Sequence, residues 1–347
     1  MQTMETTLTP VAGPREFHHL TLDVRAAGLF DRRLGYYWVK VILTLAAFGA
    51  GWAGFVLLGA SWATLAIAVF LGIAATQLGF LGHDAGHRQI FESRRANRLL
   101  GLGIGNALIG MSFGWWVPKH NAHHAHPNEP GRDPDIGVGL PSGHHVSDEP
   151  ADVRRGLTGW MGRHEAALFF PLMLLRSTGL YVAGFQDVFR RRDRRRLSEG
   201  LLLAVHAACY LAVVFWVLSP LKAIAFIALH QAAFSLYLGC SFAPNHKGMP
   251  LLEGGTETNF ARRQVLTARN VSGGRVINFV FGGLNYQIEH HLFPKVCSVH
   301  YPAISGIVRD VARTHGLPYH DQPTFRSAIA SHYRMLRRLG KSARAGS

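Results

Sequence analysis

His120-Asn121-Ala122-His123-His124-Ala125-His126-Pro127 sets four histidines within seven residues. On a helix, positions i, i+3 and i+4 share one face, so His120, His123 and His124 can point at a common centre. Pro118 suits the first turn of such a helix and Pro127 its end, because proline lacks the N–H that a helix interior needs. Neutral imidazole is the commonest metal ligand among side chains. A face of three imidazoles therefore reads as part of a metal site whose remaining ligands come from elsewhere in the chain.

Working outward, two further stretches repeat the pattern. His83 and His87, in His83-Asp84-Ala85-Gly86-His87, stand at i and i+4. Gln287, His290 and His291 stand at i, i+3 and i+4, and Pro294 lies three residues beyond His291 as Pro127 lies three beyond His124. His246, in Pro244-Asn245-His246-Lys247-Gly248, adds one more. These eight imidazoles exceed what one ion takes, since structural zinc is four-coordinate, so two metals sharing the set is the arithmetic solution. Ligation by nitrogen without thiolate fits iron, copper or zinc. Cys209, Cys240 and Cys297 are scattered and form neither a disulfide framework nor a CxxC pair.

The rest of the chain decides the class. From Val41 to Gly82 there are 42 residues without Asp, Glu, Lys, Arg or His. A bilayer crossing takes about 20 apolar residues, so this run predicts two spans. The expected spans are about 36–58, 62–81, 201–218 and 221–242, with turns at Gly59-Ala60-Ser61 and Ser219-Pro220. Tyr36, Tyr37 and Trp38 form an interfacial aromatic belt. Residues 1–35 carry charge without an apolar core, which predicts an N-terminal arm and not a cleavable signal. Residues 36–310 read as one domain, and 311–347 as a basic amphipathic helix and tail.

A formal charge of +15 raises the possibility of nucleic acid. The arginines, however, sit beside apolar segments, as in the RRRDRRR run of Arg190–Arg196, where positive residues of cytoplasmic loops belong. No nucleic-acid partner is expected; anionic lipid is a natural contact. Leu99–Val117 has 19 residues and no charge. A true crossing there would put His83 and His87 on the opposite side of the bilayer from His120, so the segment is expected to dip in and return. Leu168–Phe185 reads as interfacial, and Glu129–Asp152 as a Pro-, Gly- and Asp-rich loop. The predicted fold is an all-α integral membrane protein of four transmembrane helices with a cytoplasmic helical cap carrying the histidine clusters. Both termini are expected to face the cytoplasm, in a bacterial plasma membrane.

HDAGH at 83–87, HNAHHAHPN at 120–128 and NYQIEHHLFP at 285–294 together resemble the membrane fatty acid desaturase family. The Gln-first third box is similar to the front-end subgroup, which includes the linoleoyl-CoA and delta-6 types. The resemblance covers about residues 36–310 in order and spacing. It implies a non-haem diiron centre held by His83, His87, His120, His123, His124, His246, His290 and His291, with no further catalytic group and no organic cofactor. Gln287 stands where other members carry histidine, which implies a water-bridged or supporting role. His126 is in the pattern but not among the usual ligands. Asp84, Asn121, Asn128 and Glu289 are candidates to orient metal-bound imidazoles, and Asn270 resembles another family position near the site.

The reaction implied is removal of hydrogen from two neighbouring methylenes of a fatty acyl chain at the expense of O2 and two electrons, leaving a cis double bond. Many front-end members carry a fused b-type cytochrome domain with an HPGG motif; that motif is not in this sequence. Electrons are therefore expected from a separate ferredoxin or flavoprotein reductase. A lipid hydroxylase on the same centre is the competing enzymatic reading. A histidine-rich metal transporter would place its ligands near mid-membrane, whereas only His206 and His230 fall within the expected spans.

Overall fold

In hydrocarbon every backbone N–H and C=O must be satisfied within the chain, so an uncharged run as long as Val41–Gly82 can only form helices. The computed structural model describes residues 14–136, 156–252 and 259–345 and shows this outcome. After α1 (Pro14–Ala26), α2 (Leu34–Leu58) and α3 (Thr64–Gly86) form an antiparallel pair closed at Gly59 and the residues beyond it. Two more long apolar helices follow later in the chain, α9 (Arg195–Val217) and α10 (Pro220–His246).

Between the two pairs lie α4 (Arg94–Leu102), a π-helical stretch over Gly103–Leu108 and α5 (Phe113–Ala125). They are followed by α6 (Gly156–Arg163), α7 (Glu165–Met173) and α8 (Arg176–Arg190). After α10 come α11 (Phe260–Thr267), α12 (Gly274–Val280), α13 (Gln287–Leu292), α14 (Tyr301–Thr314) and α15 (Phe325–Ala345). Among the described residues the only strand pairing is β1 (Asn270–Val271) running parallel to β2 (Asp321–Gln322). The Glu129–Asp152 loop lies partly outside the described residues, as does the start of the N-terminal arm.

Among the described residues, α2, α3, α9 and α10 are the single helices long and apolar enough to cross a membrane. Their outer faces expose Leu57, Trp216, Leu221 and Ile224, as lipid contact requires. The protein is an integral membrane protein. α3 is the central helix, with Leu71, Ala75, Leu78 and Leu81 all buried. Small residues let it approach its neighbours. A Cβ on Gly72 would lie 2.8 Å from the Ala233 Cβ and 2.9 Å from the His230 carbonyl oxygen and the Phe234 nitrogen of α10. Close backbone packing of this kind is how helices associate in lipid, where no hydrophobic force drives them together.

α4 with its π-helical extension and α5 meet at a bend of 115°, and α7 and α8 at 68°. The first bend follows from capping and from one buried carboxylate. Ser112 accepts a hydrogen bond from the Trp115 N–H and starts α5, while Asn106 Oδ1 takes the Phe113 N–H. Glu199, fully buried, receives Arg98 at 2.7 Å and Arg191 at 2.5 Å, and Gly114 lets α5 lie directly over its carboxylate. The Leu99–Val117 segment thus turns back to the side from which it came. Arg191, within the arginine run, is a structural partner of Glu199, Asp187 and Asp193 and not a free surface charge.

His206 and His230, inside α9 and α10, are hydrogen-bonded: His206 Nδ1 meets the Ala107 carbonyl at 3.1 Å, and His230 Nδ1 the Tyr210 hydroxyl at 3.0 Å. The packing at Gly72 generates a prediction. Gly72→Leu should destabilise the protein by about 1–3 kcal/mol through overpacking, read as a lower unfolding midpoint in detergent. Gly49→Leu, at a position with nothing within 4 Å of a Cβ, should leave the midpoint unchanged.

Candidate metal centre

α3 ends in the first histidine pair, and α5 carries the second set on one face. α5 starts earlier than its prolines suggest, at Phe113, so Pro118 lies inside the helix and not in its first turn. The expectation for Pro127 is closer: α5 ends at Ala125, two residues before it. His246 occupies the last turn of α10, which runs past the expected end of the fourth span, and α13 carries His290 and His291. All of these helix ends converge, and His83, His87, His120, His123, His124, His290 and His291 are buried.

The rings fall into two groups. His83, His87, His120 and His290 bring one nitrogen each within 4.8 Å of one another, and so do His123, His246 and His291. His124 lies between the groups, its ring centre 4.6 Å from those of His87 and His290 and 4.1 Å from that of His291. The Nε2 atoms face inward: His120 to His83 at 3.2 Å, His124 to His120 at 3.1 Å and His123 to His246 at 3.3 Å.

The outward nitrogens explain why. His123 Nδ1–H donates to Asp133 at 2.9 Å, His246 Nδ1–H to the Thr267 carbonyl at 2.9 Å, and His291 Nδ1–H to Gln264 Oε1 at 2.9 Å. Gln264 is held in that orientation because its Nε2 donates to the His124 carbonyl at 3.1 Å. In each case the proton sits outside and the Nε2 lone pair points into the cluster. His290 Nδ1 meets the Tyr301 hydroxyl at 3.1 Å, which also accepts from Gln89 Nε2. His83 Nδ1 faces Asp84 Oδ1 at 3.4 Å, and Lys40 anchors the other oxygen of Asp84 at 3.1 Å.

Burial, reinforced by the neighbouring rings, holds His87, His120, His124, His290 and His291 well below the usual imidazole pKa, so these rings are neutral. Burial also opposes charge on His123, but hydrogen bonding and attraction from Asp133 raise its pKa on balance. The Nε2 atoms of His87, His290 and His291 are buried without a hydrogen-bond partner among the described residues. Each such orphan costs about 1–3 kcal/mol. Inward-facing neutral imidazoles with lone pairs in want of a partner are what a bound cation satisfies, so this donor set fits a metal.

The remaining candidates take different places. Gln287 is pinned by Asn245, whose amide donates to its Oε1 at 3.1 Å, and it turns its own Nε2 towards His246 Nε2 at 2.9 Å. Asn128, at φ 55°, ties the end of the second box to the fourth span by donating to the His246 carbonyl at 3.1 Å, while its own N–H goes to Asp133. Asn270 donates to Glu289 at 2.7 Å and receives the Ile288 N–H, fixing the start of α13. Burial lifts Glu289 to about 7, and its carboxylate faces Asn270 and Tyr319, away from the rings. Asn121 is exposed, and His126 pairs outward with Glu129 and Arg132.

Sequence reasoning missed Asp133, Gln264, Tyr301 and Trp116, which stacks on His120 at 4.4 Å. The only signal for Asp133 was its place in Asp133-Pro134-Asp135, which reads as ordinary turn composition.

Beside the rings lies a cavity of about 130 Å³. Its wall follows α3 through Gly79, Gly82 and His83, and α10 through Leu238, Phe242, His246 and Lys247. Ile109 and Leu180 line it with the apolar residues, Lys119 and Arg176 with the charged ones.

The sequence model of the family described as fatty acid desaturase matches residues 60–323. The Delta(5) fatty acid desaturase fat-4 of Caenorhabditis elegans is 30% identical over 332 residues, covering 88% of this chain and 69% of that protein. The acyl-lipid (9-3)-desaturase of Physcomitrium patens is 31% identical over 306 residues, covering 84% of this chain but only 57% of that protein. The Delta(8)-fatty-acid desaturase of Euglena gracilis is 30% identical over 315 residues, covering 88% and 74% respectively. With buried histidine sets at the ends of spanning helices and a match over most of its length, this chain belongs to the fatty acid desaturase family.

Proposed function

We propose that the two histidine groups hold a pair of iron ions and that the chain introduces a cis double bond into an acyl chain lying in the adjoining cavity. The observation that carries this reading is a cluster of inward-facing imidazoles, three of them with unpartnered Nε2 atoms, of which His83, His120, His123 and His246 line an apolar cavity. His83, His87, His120 and His290 would hold one ion, and His123, His246 and His291 the other, with His124 between them. Iron there supplies the activation of O2 that breaking unactivated C–H bonds requires. The balance is one –CH2–CH2– unit, O2, two electrons and two protons giving –CH=CH– and two waters.

The chain's own residues do the rest. Asp133, Gln264, the Thr267 carbonyl and Tyr301 keep the rings aimed, and the cavity wall orders the substrate. Polarity along α10 rises from Leu238 to Lys247, about 14 Å at the helical rise. An acyl chain would therefore lie with its methyl end towards Gly79, Ile109 and Leu238 and its polar head towards Lys119, Arg176 and Lys247. Asp135 already pairs with Lys119. Lys247, pushed down to about 8 by burial, is the cation best placed to meet the head of the substrate.

The positive-inside bias favours a cytoplasmic cap and cytoplasmic termini. Electrons would arrive from a separate acidic donor, a ferredoxin or flavoprotein reductase, steered by exposed Arg190, Arg192, Arg194 and Arg195. Arg191 is excluded from that surface by its bond to Glu199.

Two experiments test this reading. In a bacterium co-expressing a ferredoxin and its reductase, the wild-type chain should add a mapped double bond to cellular acyl chains. The purified protein should hold iron, and His124→Ala should lose the product and at least half of the metal. A hydroxylated product, or zinc in place of iron, would overturn it. Lys247→Met should raise KM for the acyl substrate roughly tenfold or more, as loss of a charge-assisted contact implies, while iron content and kcat stay close to wild type. A fall in kcat alone would place the head of the substrate elsewhere.

A further inference from the structure

Residues 272–285 leave the cap and return to it, and where they go is not evident from their sequence. At the base, Ser272 is exposed and its Oγ donates to Asp321 at 2.8 Å. Val271 and Asn285 close the loop with hydrogen bonds of 2.8 and 3.0 Å in the two directions. Between them, α12 buries none of its residues. It exposes Val276 to 72% and Phe279 to 68%, an unusual pair for a seven-residue helix in water.

The far end of α12 is tied to the spanning helices. Gln77 of α3 donates to the Phe279 carbonyl at 3.3 Å, and Tyr237 of α10 donates to the Val280 carbonyl at 2.5 Å. Gly282, at φ 61°, then passes so close to Phe80 of α3 that a Cβ would meet the ring at 2.6 Å. Depth follows from the helical rise of 1.5 Å per residue. Gln77 stands about 24 Å from the far turn at Ser61, and Tyr237 about 26 Å from the far end of α10 at Pro220. A hydrocarbon core is about 30 Å thick, so both anchors lie within it, and any tilt of the helices deepens them.

We infer that Gly274–Val280 is a re-entrant helix immersed in the lipid, with Val276 and Phe279 facing acyl tails and Arg275 reaching back to the headgroups. The occupant of this exposed apolar face is the hydrocarbon that already covers the neighbouring faces of the spans. Backbone polar groups at that depth are tolerated because the protein supplies their partners, here Gln77 and Tyr237. The hairpin returns at Asn285, two residues before Gln287, so the third histidine box is mounted on an element seated in the membrane.

The inference does not rest on the identity of the metal or of the product. The test uses the full chain in lipid vesicles, with exposed Cys209 replaced by serine and a nitroxide placed in turn at Ser272→Cys, Val276→Cys and Phe279→Cys. Relaxation by oxygen, which partitions into lipid, is compared with relaxation by a water-soluble nickel chelate. Labels at 276 and 279 should collide more with oxygen than with nickel, and the label at 272 should show the reverse. A label at 279 relaxed mainly by nickel would place α12 in water, and one shielded from both would mean that a second protein surface covers it; either result overturns the inference. If the 279 variant fails to reconstitute, the 276 label, one turn away on the same face, decides alone.

Discussion

A neutral imidazole presents a lone pair inward only if its other nitrogen keeps the proton, and for His123, His246 and His291 that proton finds an acceptor outside the cluster. That requirement shapes much of the cap. Asp133, the Thr267 carbonyl and Gln264 each serve one ring of the second group, Asp133 from the turn after α5 and the other two from α11. Gln264 must in turn be fixed, and the His124 carbonyl fixes it. Tyr301 reaches His290 only because Gln89 holds it, and Gln89 is itself gripped by Tyr37 at 3.0 Å and by the Ser298 N–H at 3.1 Å. The chain of dependence runs from the metal-facing nitrogens back to the first spanning helix.

The same requirement sets the path of the chain through the membrane. Because the first two histidine sets must meet, the apolar segment between them has to turn round, and the buried Glu199 carboxylate between Arg98 and Arg191 is where that turn is secured. A buried charge with two partners is weak evidence of net stability but costly to leave with one, so the carboxylate specifies the turn more than it strengthens it. Asp84 plays a related part at the other end, shared between His83 and Lys40, so that a ligand helix and its neighbour are joined by charge at the membrane boundary.

How much of this was legible in the sequence follows from the range of each interaction. Ligands spaced i, i+3 and i+4 on one helix announce themselves, as do uncharged runs long enough to cross lipid. Even the return of Leu99–Val117 to its starting side could be argued, because a chemical constraint overruled hydropathy. Asp133, Gln264 and Tyr301 could not be found that way: each is an ordinary residue whose role exists only through a contact made across the fold. Pro118 misled for a related reason. Proline marks a first turn by local preference, but the Ser112 cap and the packing of Gly114 over Glu199 start the helix earlier. The seven residues of α12 carry no spanning signal because the run is far too short to cross lipid and is interrupted by Arg275 and Asn278, and only their partners on α3 and α10 reveal their depth.

The order in which a ribosome delivers these residues has its own consequence. The inward nitrogens come from positions between His83 and His291, so no complete set exists until most of the chain has emerged. Until then His83 and His87 wait at the end of a helix already placed in the membrane, and the rings that will face them have not been made. Neither histidine group can therefore close before α13 has been made, long after the first spanning pair.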